Sequence, residues 1–259
     1  MSANSIVCIK SVVRAAPDGV GRRTPENSEL NPFDRPALEA ALRVRETLGG
    51  TVTALSMGPA VGVEALAEAQ AMGVDAAVLV SDPALAGSDT LVTARVLAAA
   101  IGRLAPFGFV FFGTRAADSD TGQVGPQTAT LLGVPLVSGV TGMQPRDDEW
   151  EITRLMDAWE EVWRVRPPAA VTVHATAFAP RPVPLVGITQ AYGHPNLQTW
   201  RLSDLGLCAD QVGLAGSPTR VATLAKVTRK RACHLLEGEP PQQAAALMAF
   251  LEAKGLMGS

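Results

Sequence analysis

Short apolar runs alternate with longer stretches of helical period along the first half of the chain. Runs from Ser5 to Ile9, Val52 to Ser56, Ala76 to Val80, Phe107 to Phe112 and Leu136 to Val140 are largely apolar, as strands buried on both faces require. Between them, apolar residues recur at helical spacing from about Arg35 to Leu48, Val61 to Met72, Asp89 to Leu104 and Gln123 to Leu132. In the first of these helices Asp34 suits the N-cap, Pro36 suits the first turn, and Leu38, Ala41, Leu42 and Leu48 share a face. Gly73 ends the second. Strand alternating with helix predicts an α/β fold built on a mostly parallel sheet with right-handed crossovers.

After Gly142 the pattern turns antiparallel. Glu151 to Met156 and Glu160 to Val165 read as a hairpin around Asp157, Ala158 and Trp159, and Ala169 to Ala175 reads as another strand. Phe178 to Pro195 is rich in Pro and Gly without a clear period, which predicts a long ordered surface loop. Pro240 to Lys254 reads as a helix held off the body by Glu237 to Pro241, and such a tail packs on a partner chain. The expected division is an α/β domain over residues 1–207 and a C-terminal arm over 208–259.

With 259 residues, 47% hydrophobic and 18% charged, the chain can build one large α/β core. A net charge of -3 supplies no basic field, and the one basic cluster, Lys226 to Arg231, is short, so nucleic acid is not an expected partner. Cys8, Cys208 and Cys233 are too scattered for a disulfide framework, and with His174, His194 and His234 they offer no metal-ligand spacing. No signal core precedes Ser5 and no run reaches membrane-span length, which points to a cytoplasmic protein without direct membrane insertion.

The candidate chemistry lies between Gly113 and Pro126, where an apolar strand runs through Thr114, Arg115, Asp118, Asp120, Thr121, Gly122, Gln123 and Val124 into a helix. A helix N-terminus presents unpaired backbone N–H groups and partial positive charge, so the amides near Thr121, Gly122 and Gln123 can cradle a phosphate. A carboxylate beside a phosphate is repelled. Asp118 and Asp120 therefore cap the helix or accept hydrogen bonds from ribose hydroxyls and backbone amides. An ordinary capped loop accounts for the spacing equally well, and Arg115 is either a phosphate neighbour or a solvated side chain.

Several motifs, taken in order, carry a family resemblance. They are Cys8-Ile9-Lys10, Asn31-Pro32-Phe33-Asp34, Ser56-Met57-Gly58-Pro59, Ala71-Met72-Gly73-Val74-Asp75, Asp118 through Pro126, Pro168 through Thr172, Pro180-Arg181 and Asp204-Leu205-Gly206. Over roughly Ser5 to Leu207 the chain resembles the β subunits of electron transfer flavoproteins, a class that includes nitrogen-fixation-associated and electron-bifurcating homologues. The resemblance implies a Rossmann-like sheet of the adenine-nucleotide-hydrolase-like type. It also implies a non-enzymatic subunit that pairs with an α subunit and passes electrons from a flavin dehydrogenase to a downstream acceptor. The α subunit of the family holds a redox FAD, which the β subunit helps hold; the β subunit binds AMP, or a second FAD in bifurcating members.

Carried onto this chain, the resemblance assigns the adenine nucleotide to Cys8, Asn31, Pro32, Phe33, Asp34, Met57 and the loop Gly113 to Val124, with Phe33 near the α-subunit flavin. Backbone groups at Cys8 and Met57 suit an adenine edge. On residue chemistry alone Cys8 reads as a small buried residue, Asn31 as a turn residue and Phe33 as core packing. Residues 180–195 resemble the family's dehydrogenase-recognition loop, with Leu185 at the position of the pocket-filling leucine. Gln190, Tyr192, Gly193 and His194 replace the lysines that follow it in the family, which points to a dedicated dehydrogenase; an inert Pro-rich loop is the alternative. In the hairpin, the family's acid-rich segment is replaced by Arg154 through Trp159, and Trp159 and Trp163 are expected to pack on the sheet or on a partner.

Overall fold

A computed structural model describes residues 3–13, 24–223 and 233–257. The cluster Lys226 to Arg231 lies outside them. Two compact units are present, Met1–Val221 and Ala222–Ser259. The first runs β1 (Ser5–Cys8), β2 (Ser11–Val13), β3 (Ser28–Leu30), α1 (Arg35–Leu48), β4 (Val52–Met57), α2 (Val63–Ala71), β5 (Ala76–Val80), α3 (Thr90–Arg103), β6 (Phe109–Gly113) and α4 (Val124–Leu132). It continues through β7 (Leu136–Arg146), β8 (Glu149–Met156), β9 (Trp159–Val165), β10 (Ala169–Val173), α5 (Leu185–Gly193), β11 (Leu197–Trp200) and α6 (Gly213–Gly216).

Nine strands form one sheet in the order β11-β5-β4-β1-β6-β10-β7-β8-β9, parallel from β11 to β7 and antiparallel beyond. β2 and β3 make a separate antiparallel pair. Successive strand residues point to opposite faces, so the sheet separates two cores. Val7, Phe109 and Phe111 meet Leu38, Leu42 and Leu66 of α1 and α2 on one side. Ile6, Cys8, Val110 and Phe112 meet Val96 and Ile101 of α3 and Ala129 of α4 on the other. Each Leu- or Phe-sized side chain so buried contributes about 1.5–3 kcal/mol. Among the described residues no helix is long and apolar enough to cross a membrane.

Several expectations need correction. The segment read as a loop from Phe178 to Pro195 contains α5, and β2, β3 and β11 carry too few residues for a period to show. β7 does not end at Val140 but runs on to Arg146, through Gly142, to pair with β8. β10 is not a further antiparallel strand; it inserts between β6 and β7, parallel to both. Leu48, at the last turn of α1, is 44% exposed rather than on the buried face. Trp159 and Trp163 do not pack down on the sheet; both are exposed, with the Arg154 guanidinium 5.1 Å from the Trp163 ring centre. The first unit runs past Leu207 because Val212 is buried against the α3 side and the Ser217 hydroxyl accepts a hydrogen bond from Asp89 N. In the second unit, α7 (Pro240–Ala253) carries no residue buried within the chain, and Phe250 lies 6.1 Å from His234, ring centre to ring centre.

Candidate functional site

The chain runs from β1 outward to β4 and β5, then crosses back to β6 on the other flank of β1. Open parallel sheets bind ligands at such a reversal, outside the carboxyl ends of the strands, where helix N-termini and unpaired backbone groups converge. A cleft of about 950 Å³ lies there. Cys8, Ile9 and Lys10 line it from β1, Met57 and Gly58 from β4, Ser81 and Asp82 from β5, and Phe112 to Ala116 from β6.

The turn before α1 is seated against the end of β6. A Cβ on Gly113 would lie 2.3 Å from Asp34 Oδ1 and 2.5 Å from Phe33 O, so only glycine allows this approach. Asp34 does not cap α1 with its side chain. Its carboxylate instead accepts a hydrogen bond from Lys10 N at 2.7 Å, tying the turn to the continuation of β1. Burial pushes the Asp34 carboxyl up to about 7 against these stabilising hydrogen bonds. Burial, with Asp34 beside it, also pushes the Cys8 thiol well above its ordinary value, so Cys8 is a protonated, small apolar wall residue.

Asn31 is fully buried, and its amide holds the candidate loop: Nδ2 donates to Arg115 O at 2.9 Å and Oδ1 accepts from Ala117 N at 3.1 Å. It is thus a brace between the two motifs. Replacing it by Ala removes both bonds from Arg115 O and Ala117 N, an expected loss of about 2 kcal/mol. Hydrogen exchange at the Ala117 amide in Asn31→Ala should rise well beyond the change at the α3 amides; equal change at both sites would deny the brace.

Asp120 (φ 52°) and Gly122 (φ 62°) turn the loop through left-handed conformations, and Thr121, Gly122, Gln123, Val124 and Gly125 then line the cleft. Gln123 stands at the N-cap of α4 without a capping side-chain bond, and no acid lies in the first turn. The expected capping by Asp118 or Asp120 does not occur. Lys10 Nζ donates to Asp118 at 2.7 Å and Arg115 pairs with Asp120 at 3.3 Å, so each loop carboxylate has a cation at its side. Arg115 also lies 4.5 Å over the half-buried Phe33 ring. Cys8, Asn31, Asp34, Met57, Gly113, Thr114, Arg115 and Thr121 to Val124 are all brought to the cleft; Pro32, Phe33, Asp118 and Asp120 stand beside it.

Lys10 and the opposite wall were not anticipated. That wall is made by Ser88, Asp89, Thr90 and Thr93 at the start of α3, with Thr219 and Val221. Asp89 caps α3 through Val92 N and holds Thr219 by its amide and hydroxyl. The polar stretch after β5 follows a strand end just as the Gly113 loop does, and that was the available signal.

A sequence model of the electron transfer flavoprotein domain matches residues 21–204. The chain belongs to the electron transfer flavoprotein family. It is 37% identical over 227 residues to the electron transfer flavoprotein subunit beta of Thermoanaerobacterium thermosaccharolyticum, covering 88% of this chain and 87% of that one. A protein of Anaerotignum propionicum, acryloyl-CoA reductase electron transfer subunit gamma, is 34% identical over 260 residues, covering 96% and 97%. Protein FixA of Azotobacter vinelandii is 33% identical over 265 residues, covering 96% and 94%. Within the electron transfer flavoproteins the chain is a β-type subunit, and its function is electron transfer.

Proposed function

We propose that the cleft binds AMP and that the chain, paired with an α subunit in the cytoplasm, helps hold that subunit's FAD while catalysing no reaction itself. The observation that carries the nucleotide is the α4 N-terminus: it opens into the cleft uncapped, with the loop acids paired to Lys10 and Arg115. A phosphate there meets backbone N–H groups and the positive helix end without facing unpaired carboxylates from this loop. Cys8 and Met57 offer strand-end backbone groups to the adenine. Phe33, half-exposed under Arg115 beside the cleft, supports the reading that it faces the α-subunit flavin. The unburied apolar residues of α7 suit an arm that packs on the α subunit. Leu185 would contact the donor dehydrogenase.

A second FAD in place of AMP is the alternative, and the cleft has room for it: about 950 Å³ lies near the top of the roughly 300–1,000 Å³ range of small-molecule sites. The test is to co-express the chain with its α subunit, denature the heterodimer and count the released nucleotides. One FAD with one AMP is the expected result. Two FAD without AMP would establish the alternative, and a protein that takes no adenine nucleotide would overturn both.

A further inference from the structure

α5 exposes what a surface helix normally hides. Its buried residues are Gly187 and Ala191, while Leu185 (80% exposed), Ile188 (42%) and Tyr192 (59%) form an outward stripe at i, i+3 and i+7. No charged residue lies between Leu185 and Gly193. Such spacing is that of a helix laid into an apolar groove of a partner.

Two contacts fix the helix to the body. At Gly187 the backbone lies so close to α2 that an added Cβ would overlap Ala71 O. Ahead of the helix, Arg181 is clamped to α1: its Nε donates to Glu39 Oε2 at 2.8 Å, its amide to the same oxygen at 3.2 Å, and Nη1 to Glu46 at 2.8 Å. The Glu39 side chain is only 4% exposed and takes a further bond from Arg43 Nε at 2.8 Å, while Arg43 lies over the Phe178 ring at 5.6 Å. Burial opposes ionisation of Glu39, but the bonds from Arg181 and Arg43 outweigh it and hold the carboxyl below its ordinary value. A buried carboxylate is costly without such partners, and stability alone is a weak reason for one.

We infer that Glu39 and Arg181 are positioning residues: by clamping the Pro-rich lead segment to α1 they present the Leu185–Ile188–Tyr192 stripe, preordered, to the flavin dehydrogenase that donates electrons. The inference rests on the reading of Leu185 as a dehydrogenase contact. Without the clamp the lead segment must be ordered at each encounter, which weakens docking while leaving electron transfer within the docked complex unchanged.

The test uses the heterodimer with its α subunit as the electron acceptor of a flavin dehydrogenase shown to reduce the wild type. Glu39→Gln and Arg181→Gln should each raise the KM for the heterodimer about three- to tenfold at unchanged kcat, with the double variant no worse than either single. Arg181→Lys should recover only part, since the ammonium lacks the planar fork. Reduction by dithionite should be the same in all. A raised KM for Leu185→Ala with a normal KM for Arg181→Gln would overturn the positioning role, whatever happens to thermal stability. A normal KM for Leu185→Ala would overturn the docking surface itself. Arg181 is on the surface, so its variants decide the matter even if Glu39→Gln does not fold.

Discussion

Gly113→Ala should cost this protein about 2–3 kcal/mol of stability and most of the nucleotide affinity proposed for the cleft, although it adds a single methyl group. The methyl would fall 2.3 Å from Asp34 Oδ1 and 2.5 Å from Phe33 O, and one of these is main chain. No rotamer change relieves a clash with a carbonyl, so the whole turn must withdraw from β6. Asn31 leads that turn and braces Arg115 and Ala117, so the loop that approaches α4 loses its support at the same time. Denaturant unfolding of the variant, with the nucleotide retained after purification, reads both effects. Wild-type stability with full nucleotide content would mean that the turn is not seated on the strand end as described. Gly133, which ends α4 with φ 68° and open space around its Cα, is a suitable control: an Ala there should be strained locally yet leave the cleft intact.

The parallel core was legible because each central strand is buried on both faces and therefore reads as an apolar run. α1 was legible too, from Pro36 near its start and the stripe of Leu38, Ala41 and Leu42. β10 was recognised as a strand, but its partners are β6 and β7, and pairing across the sheet leaves no trace in local pattern. α5 escaped for a different reason: its buried residues are Gly187 and Ala191 and its exposed residues are large and apolar, the reverse of the usual amphipathic code. At the site, strand ends and the glycine-bearing loop pointed to the edge of the sheet where the cleft lies. The roles shifted in three dimensions. Asp34 looked like a helix cap and is held by Lys10 N; Asn31 looked like a turn residue and reaches across to the loop. Both side chains were recruited by tertiary partners that stand far off in sequence.

Asp34 gives the second large effect, and it depends on pH. Its carboxyl is pushed up to about 7 in the folded protein, chiefly by burial, against about 4 in an unfolded chain. Between those values the folded protein keeps a proton that the unfolded chain has lost, so raising the pH draws the equilibrium toward unfolding. The stabilisation from this group is complete below about pH 4 and is lost as the pH rises through about 7. Asp34→Asn keeps an oxygen able to accept from Lys10 N but carries no charge to bury. The variant should therefore match the wild type below about pH 4 and exceed it at pH 8 by about 2–4 kcal/mol, the order expected for a shift of this size. Urea unfolding of wild type and variant across this range measures the difference directly, since Glu39 and Asp89, whose carboxyls are shifted downward, lose their stabilising effect at lower pH in both proteins alike. A gap that is constant from pH 5 to pH 8 would show that Asp34 is ionised throughout, its burial then offset by the Lys10 charge and the hydrogen bonds that already oppose it.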